Sequence, residues 1–96
     1  MRKPAIGPDE ATLIALKALA YIAQDENRLS RFLTLTGVEA DYVPSVASSP
    51  EFQAAVLEYL MTDETTLMAF CATEGIEAEL PSRALRLLAG PATEYG

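Results

Sequence analysis

The chain contains two copies of one unit of 38 residues. Residues 19–40, shifted by 38 positions, align with residues 57–78, and nine residue identities recur. The identical pairs are Leu19/Leu57, Tyr21/Tyr59, Asp25/Asp63, Glu26/Glu64, Leu29/Leu67, Phe32/Phe70, Gly37/Gly75, Glu39/Glu77 and Ala40/Ala78. The apolar and glycine members of this set are the residue types that helix cores and helix ends require. The repeat therefore indicates an architecture and does not by itself identify a chemical site.

Capping residues divide the first copy into helices. Pro8 and the acids after it predict the start of a first helix that runs to about Gln24. Apolar residues cover most of its circumference, so we expect it to be the central, most buried element. Asp25 is a good N-cap for a second helix, and Gly37 ends that helix in a left-handed conformation. A short third helix is expected over about 39–47, restricted by Pro44.

The second copy repeats this order of caps and stops. Ser49 followed by Pro50 begins its first helix, and Asp63 caps its second. Gly75 ends the second helix, with Ile76 placed to close against Cys71. A last helix is expected from Pro81-Ser82 to about Ala89.

These elements predict one all-α domain over residues 1–96. We expect a compact bundle of five to six short helices, built from the copies 11–48 and 49–86 with approximate two-fold symmetry. Two copies are too few for a solenoid, which needs at least three repeats. The ends, residues 1–6 and 91–96, are expected to be flexible tails.

Composition excludes several classes of function. The net charge of −7 opposes binding to nucleic acid or to anionic membranes. The single cysteine cannot form an internal disulfide, which favours a cytoplasmic protein. The run over residues 13–23, apolar except for Lys17, is eleven residues long and well short of the ~20 residues of a membrane-spanning helix. We expect neither a targeting segment nor a membrane segment.

The reactive side chains do not indicate an enzyme. Histidine is absent, which removes the commonest general base and the commonest metal ligand. Cys71 lies in an apolar stretch without a nearby base, and no glycine-rich phosphate loop occurs. Neither catalytic residues nor a cofactor are therefore expected. A helix-turn-helix over residues 29–46 would carry an acidic second segment. A second candidate over residues 67–88 carries Arg83 and Arg86, but cations near a helix end also suit the helix dipole, so no nucleic-acid partner is expected.

The two copies differ at positions that could carry function. The clearest differences are Ser30/Met68, Arg31/Ala69, Leu33/Cys71 and Ala20/Glu58. The first two differences make residues 67–72 of the second copy apolar on almost every side. Either this helix is more deeply buried than its counterpart, or Met68, Ala69 and Cys71 form an exposed interaction patch.

The chain also resembles a known family. The segments carrying the likeness are residues 31–38 (RFLTLTGV), 50–52 (PEF), 55–60 (AVLEYL) and Asp63-Glu64. They are similar to a family of short alphaproteobacterial proteins known only as a domain of unknown function, over about residues 11–89. The resemblance implies a small cytoplasmic helical protein and supplies no activity, cofactor or catalytic residue.

Three functional hypotheses follow. The first is a non-enzymatic domain acting through contact with an unidentified protein or with itself, as a homodimer. The second is an acidic regulator that competes for a basic partner surface. The third is a small-ligand or metal site between the copies, where Asp25-Glu26 and Asp63-Glu64 could face each other.

Overall fold

In a computed structural model, residues 6–90 are described, and they form six α-helices and one 3₁₀ turn. The α-helices are α1 (Pro8–Ala23), α2 (Glu26–Thr36), α3 (Val43–Val46), α4 (Pro50–Met61), α5 (Glu64–Glu74) and α6 (Leu80–Ala89). The 3₁₀ turn, Ala40–Tyr42, runs directly into α3. The radius of gyration of 13.0 Å is that of a compact chain of this length. The fold class predicted from the sequence, an all-helical bundle, is confirmed. Apart from Ile6, the predicted flexible tails lie outside the described residues.

The helix ends lie where the capping residues predict them. The Asp25 carboxylate accepts hydrogen bonds from the amides of Asn27 and Arg28 at 2.9 and 3.3 Å. The Asp63 carboxylate accepts in the same way from Thr65 and Thr66 at 3.1 and 3.3 Å. These bonds satisfy amides that have no partner within their own helix.

In each copy, one glycine ends the second helix. Gly37 and Gly75 both have left-handed backbone angles, with φ of 75° and 67°. After Gly75 the Ile76 amide donates to the Cys71 carbonyl at 2.9 Å, which is the backbone bond of a Schellman motif. After Gly37 the Val38 amide donates to the Thr36 hydroxyl at 3.4 Å. The repeated glycines therefore have the same role, although the bonds that follow them differ.

The core lies between α1, α4 and α6, which pack against one another in every pairing. The central helix is α4, which also contacts α2 and α5. Six of its residues are buried: Phe52, Gln53, Ala54, Val56, Leu57 and Leu60. The expectation that α1 would be the most buried element is wrong, because one side of α1 faces solvent and exposes Leu13 and Leu16. An apolar circumference alone does not determine which side of a helix the rest of the chain covers.

Two equivalent contacts between aromatic rings connect the two copies. Tyr21 of the first copy contacts Phe70 of the second, with ring centroids 5.5 Å apart. The repeat-equivalent pair, Tyr59 and Phe32, is 5.4 Å apart. The copies differ in their third segments, because α6 packs on α1 and α4 whereas the first copy has only the 3₁₀ turn and the four-residue α3. The predicted two-fold symmetry stays a prediction.

None of the helices within residues 6–90 has both the length and the apolar character that crossing a bilayer requires.

Candidate functional site

A shallow, open groove lies beside α2, and we call it the α2 groove. It has a volume of about 540 Å³. Its lining residues come from α2 and from the turn that follows: Glu26, Leu29, Ser30, Leu33, Thr34, Gly37, Val38, Glu39 and Ala40. They include two glutamates and no basic residue.

Local structure positions the apolar floor of the groove. Leu29 and Leu33 are four residues apart and therefore lie on one face of α2. Gly37 reverses the chain in its left-handed conformation and returns Val38 alongside them. All three apolar side chains are only partly buried. The result is an apolar strip that remains accessible along the helix.

The second copy shows why this face stays open in the first. The position equivalent to Leu33 is Cys71, which is only 5% exposed and belongs to the core cluster. Ile76 and Leu80 pack against that cluster, as Val38, Val43 and Val46 do in the first copy, but Leu80 begins the ten-residue α6. In the first copy the corresponding chain forms the 3₁₀ turn and α3, neither of which contains a buried residue. The first copy therefore lacks the long third helix that helps close the core in the second.

The charges around the groove are negative. Glu26 and Glu39 line it, and both side chains are exposed. The basic residues of α2, Arg28 and Arg31, line a different pocket on the other flank of the helix. An apolar strip with carboxylates at its edge suits a ligand that is both apolar and positively charged.

The pocket at Arg28 and Arg31 joins the two copies. It has a volume of about 180 Å³ and is also lined by Tyr59, Leu60, Thr62, Asp63 and Thr66. The Tyr59 hydroxyl donates to the Arg28 carbonyl at 3.3 Å, and a guanidinium nitrogen of Arg28 lies 3.8 Å from the Asp25 carboxylate. The Tyr59 hydrogen bond ties α4 to α2, whereas the Arg28–Asp25 contact lies within the first turn of α2.

Hydrogen bonding lowers the pKa of two carboxyl groups. The Thr66 hydroxyl donates to Asp63 Oδ2 at 2.9 Å, and this bond is the main reason that the pKa of Asp63 is lowered. Hydrogen bonds from backbone amides act in the same direction. The Ser49 hydroxyl, which donates to Glu51 at 2.8 Å, likewise lowers the pKa of Glu51. Both carboxylates stand at helix starts, where negative charge is stabilised by the helix dipole.

The patch predicted at Met68, Ala69 and Cys71 is divided by the structure. Met68 is 49% exposed and Ala69 also lies on the surface of α5. Cys71 points into the core, so it is not part of that surface, and burial raises the pKa of its thiol. Along this helix, Cys71 is therefore buried, whereas Met68 and Ala69 are exposed.

The α2 groove was not predicted from the sequence. Sequence comparison of the copies singled out the differences Ser30/Met68 and Leu33/Cys71, and both Ser30 and Leu33 line the groove. Val38, which the sequence places after the Gly37 turn in contact with Leu33, lines the groove as well. Within residues 6–90, no group of three or more Cys, Asp or Glu side chains is arranged to hold a metal ion.

Comparison with known proteins establishes the family. The family model for DUF3572, described as a protein of unknown function, matches residues 8–91. The chain belongs to the DUF3572 family. Its match covers all six helices, so the bundle and the α2 groove both lie within the family domain. Neither a curated protein nor a solved structure matches the chain.

Proposed function

We propose that this DUF3572 domain is a non-enzymatic binding module whose α2 groove holds a short, basic, amphipathic helix of a partner protein. The observation that carries the proposal is the partly covered strip of Leu29, Leu33 and Val38 beside Glu26 and Glu39. Amphipathic helices bind such grooves through apolar residues at positions i, i+3, i+4 and i+7.

Size and charge support this class of partner. A volume of about 540 Å³ lies in the range of ligand-binding clefts, and the open form of the groove suits a segment that lies along it. The net charge of −7 attracts basic proteins and repels nucleic acid. The proposal thus combines protein contact with recognition of a basic surface.

A designed peptide tests the proposal although the natural partner is unidentified. The probe is a labelled peptide of about 14 residues with leucine at the four anchor positions and lysine and alanine elsewhere. A second peptide has the same composition with the leucines scattered around the helix. Fluorescence anisotropy should show binding of the patterned peptide and much weaker binding of the scattered one.

The repeat provides matched control variants. Glu26→Gln/Glu39→Gln should weaken binding about two- to tenfold and reduce its salt dependence. Glu64→Gln/Glu77→Gln makes the same charge change at the equivalent positions of the second copy and should have little effect. Leu33→Ala should weaken binding about tenfold, whereas Leu35→Ala, on the other side of α2, should not.

Three results would contradict the proposal. The first is equal binding of the two peptides, which would indicate charge attraction without a groove. The second is binding that Leu33→Ala and the Glu26→Gln/Glu39→Gln variant leave unchanged. The third is absence of binding by both peptides, which would count against a basic helical partner.

A further inference from the structure

Helix α1 carries an apolar stripe that the rest of the described chain leaves partly uncovered. Leu13 is 52% exposed and Leu16 is 38% exposed, and Ala20 and Ala23 lie on the surface as well. Their spacing of three, four and three residues places all four on one face of the helix. Lys17 stands beside the stripe, with its ammonium 4.0 Å from the Glu74 carboxylate.

The repeat shows that two of the four stripe positions differ in character from their equivalents in α4, whereas Leu16 and Ala23 correspond to the apolar Ala54 and Met61. The equivalents of Leu13 and Ala20 in α4 are Glu51 and Glu58, both exposed. Charged residues are what a helix face in contact with water ordinarily carries. At the equivalent positions of α1, the apolar Leu13 and Ala20 lie outside the core.

We propose that this stripe pairs with α1 of a second copy in an antiparallel arrangement. If Leu13 lies opposite Ala23 of the second copy, then Leu16 lies opposite Ala20, because both pairs are symmetric about position 18. Each large side chain thus meets a small one, which lets the two surfaces interdigitate. A parallel arrangement would set leucine against leucine at one end and alanine against alanine at the other.

Antiparallel pairing has a second advantage. It places the positive end of each helix dipole near the negative end of the other, whereas parallel pairing brings like ends together. The three–four spacing also matches helices that cross at about 20° and pack side by side.

The size of the stripe sets the strength of the dimer. The stripe spans residues 13–23 and is therefore about 16 Å long and about 10 Å wide, a footprint of about 160 Å² per copy. Stable interfaces bury about 800 Å² per partner, so the pairing belongs to the weak class. We expect a dissociation constant of about 0.1–1 mM, measurable by sedimentation equilibrium.

Complementary variants test both the contact and its direction. Leu16→Lys and Ala20→Glu each place a charge in the seam, and each alone should weaken self-association at least tenfold. When the two variants are mixed, the antiparallel heterodimer has one Lys–Glu pair and one native Leu–Ala pair. The mixture should therefore associate at least tenfold more tightly than either variant alone. The heterodimer can be followed by titrating unlabelled Ala20→Glu protein into ¹⁵N-labelled Leu16→Lys protein.

Controls separate this contact from general surface stickiness. Leu35→Glu removes a leucine of α2 that is 74% exposed, and it should leave self-association unchanged. Circular dichroism should show that each variant remains folded, because the altered residues are exposed.

The proposal would be overturned by a wild-type protein that stays monomeric up to about 1 mM. Binding of that monomer to zwitterionic lipid vesicles, lost in Leu16→Lys, would then assign the stripe to a lipid surface. A mixture that associates no better than the separate variants would equally overturn the antiparallel pairing.

Discussion

Phe32 is the side chain that holds α2 on the bundle. It is 1% exposed and is the only buried residue of that helix. Its ring lies 5.5 Å from the ring of Phe52 and 5.4 Å from that of Tyr59, measured between centroids. By contrast, α5 has Thr66 and Cys71 buried in addition to Phe70. Loss of Phe32 should therefore leave α2 with only partly buried contacts.

Phe32→Ala should destabilise the domain by about 3–5 kcal/mol, the usual range for removing a buried phenylalanine. Contacts between aromatic rings add about 0.5–1.5 kcal/mol each beyond burial, so the upper part of that range is expected. A domain of this size has a free energy of unfolding of about 5–15 kcal/mol, so the variant would lose a large fraction of it. Leu35→Ala, on the exposed side of the same helix, should change stability by less than about 0.5 kcal/mol.

Urea unfolding followed by far-UV circular dichroism measures the loss of stability, and amide hydrogen exchange locates it. Amides of α2 should lose more protection than those of α4, since α4 keeps its contacts with α1 and α6. A loss below about 1.5 kcal/mol, or unchanged exchange in α2, would refute the view that Phe32 anchors this helix. The variant should also lose the α2 groove, because α2 forms one wall of it.

Two further predictions concern the repeated caps. Gly37→Ala and Gly75→Ala should each destabilise the domain by about 1–2 kcal/mol, because a residue with a Cβ is strained in the left-handed conformation. The two losses should be similar, since an added Cβ would meet no atom within 4 Å at either site. Thermal unfolding that shows no loss, or a loss at one site alone, would contradict this. Thr66→Val removes the hydroxyl bonded to Asp63 Oδ2, so the pKa of Asp63 should rise toward its usual value in a carbon-detected NMR titration. Because the pKa of Asp63 is lower in the folded state, ionised Asp63 stabilises the fold above about pH 4, and this stabilisation disappears as the pH falls through the folded-state pKa. Thr66→Val should therefore reduce the stability that the domain loses on acidification.

The elements that sequence patterns predicted correctly are those fixed by local interactions. Asp25, Asp63 and Ser49 bond to amides two or three residues away, and Gly37 and Gly75 reverse the chain at their own positions. Such interactions involve only a few consecutive residues, so they can be identified from the sequence whatever the tertiary fold.

What could not be predicted depends on contacts between distant residues. The apolar circumference of α1 predicted a central helix, yet Leu13 and Leu16 face solvent and α4 occupies the centre. Met68 and Cys71 are three residues apart in one apolar stretch, yet one is exposed and the other buried. Periodicity cannot assign these sides when most positions are apolar, because the path of the other helices decides which side is covered.

The divergence between the copies connects the two proposals. In the first copy, the third segment leaves Leu33 accessible, and α1 has leucine and alanine where α4 has the charged residues Glu51 and Glu58. Both differences expose apolar surface in the first copy, whereas the equivalent surface of the second copy is either buried or charged. If the two surfaces act together, an α1-paired dimer presents two α2 grooves, and a partner with two basic helices would bind it more tightly than it binds the monomer. Leu16→Lys should then weaken binding of a tandem peptide while leaving binding of the single peptide unchanged, and an equal effect on both would show that the two surfaces are not independent.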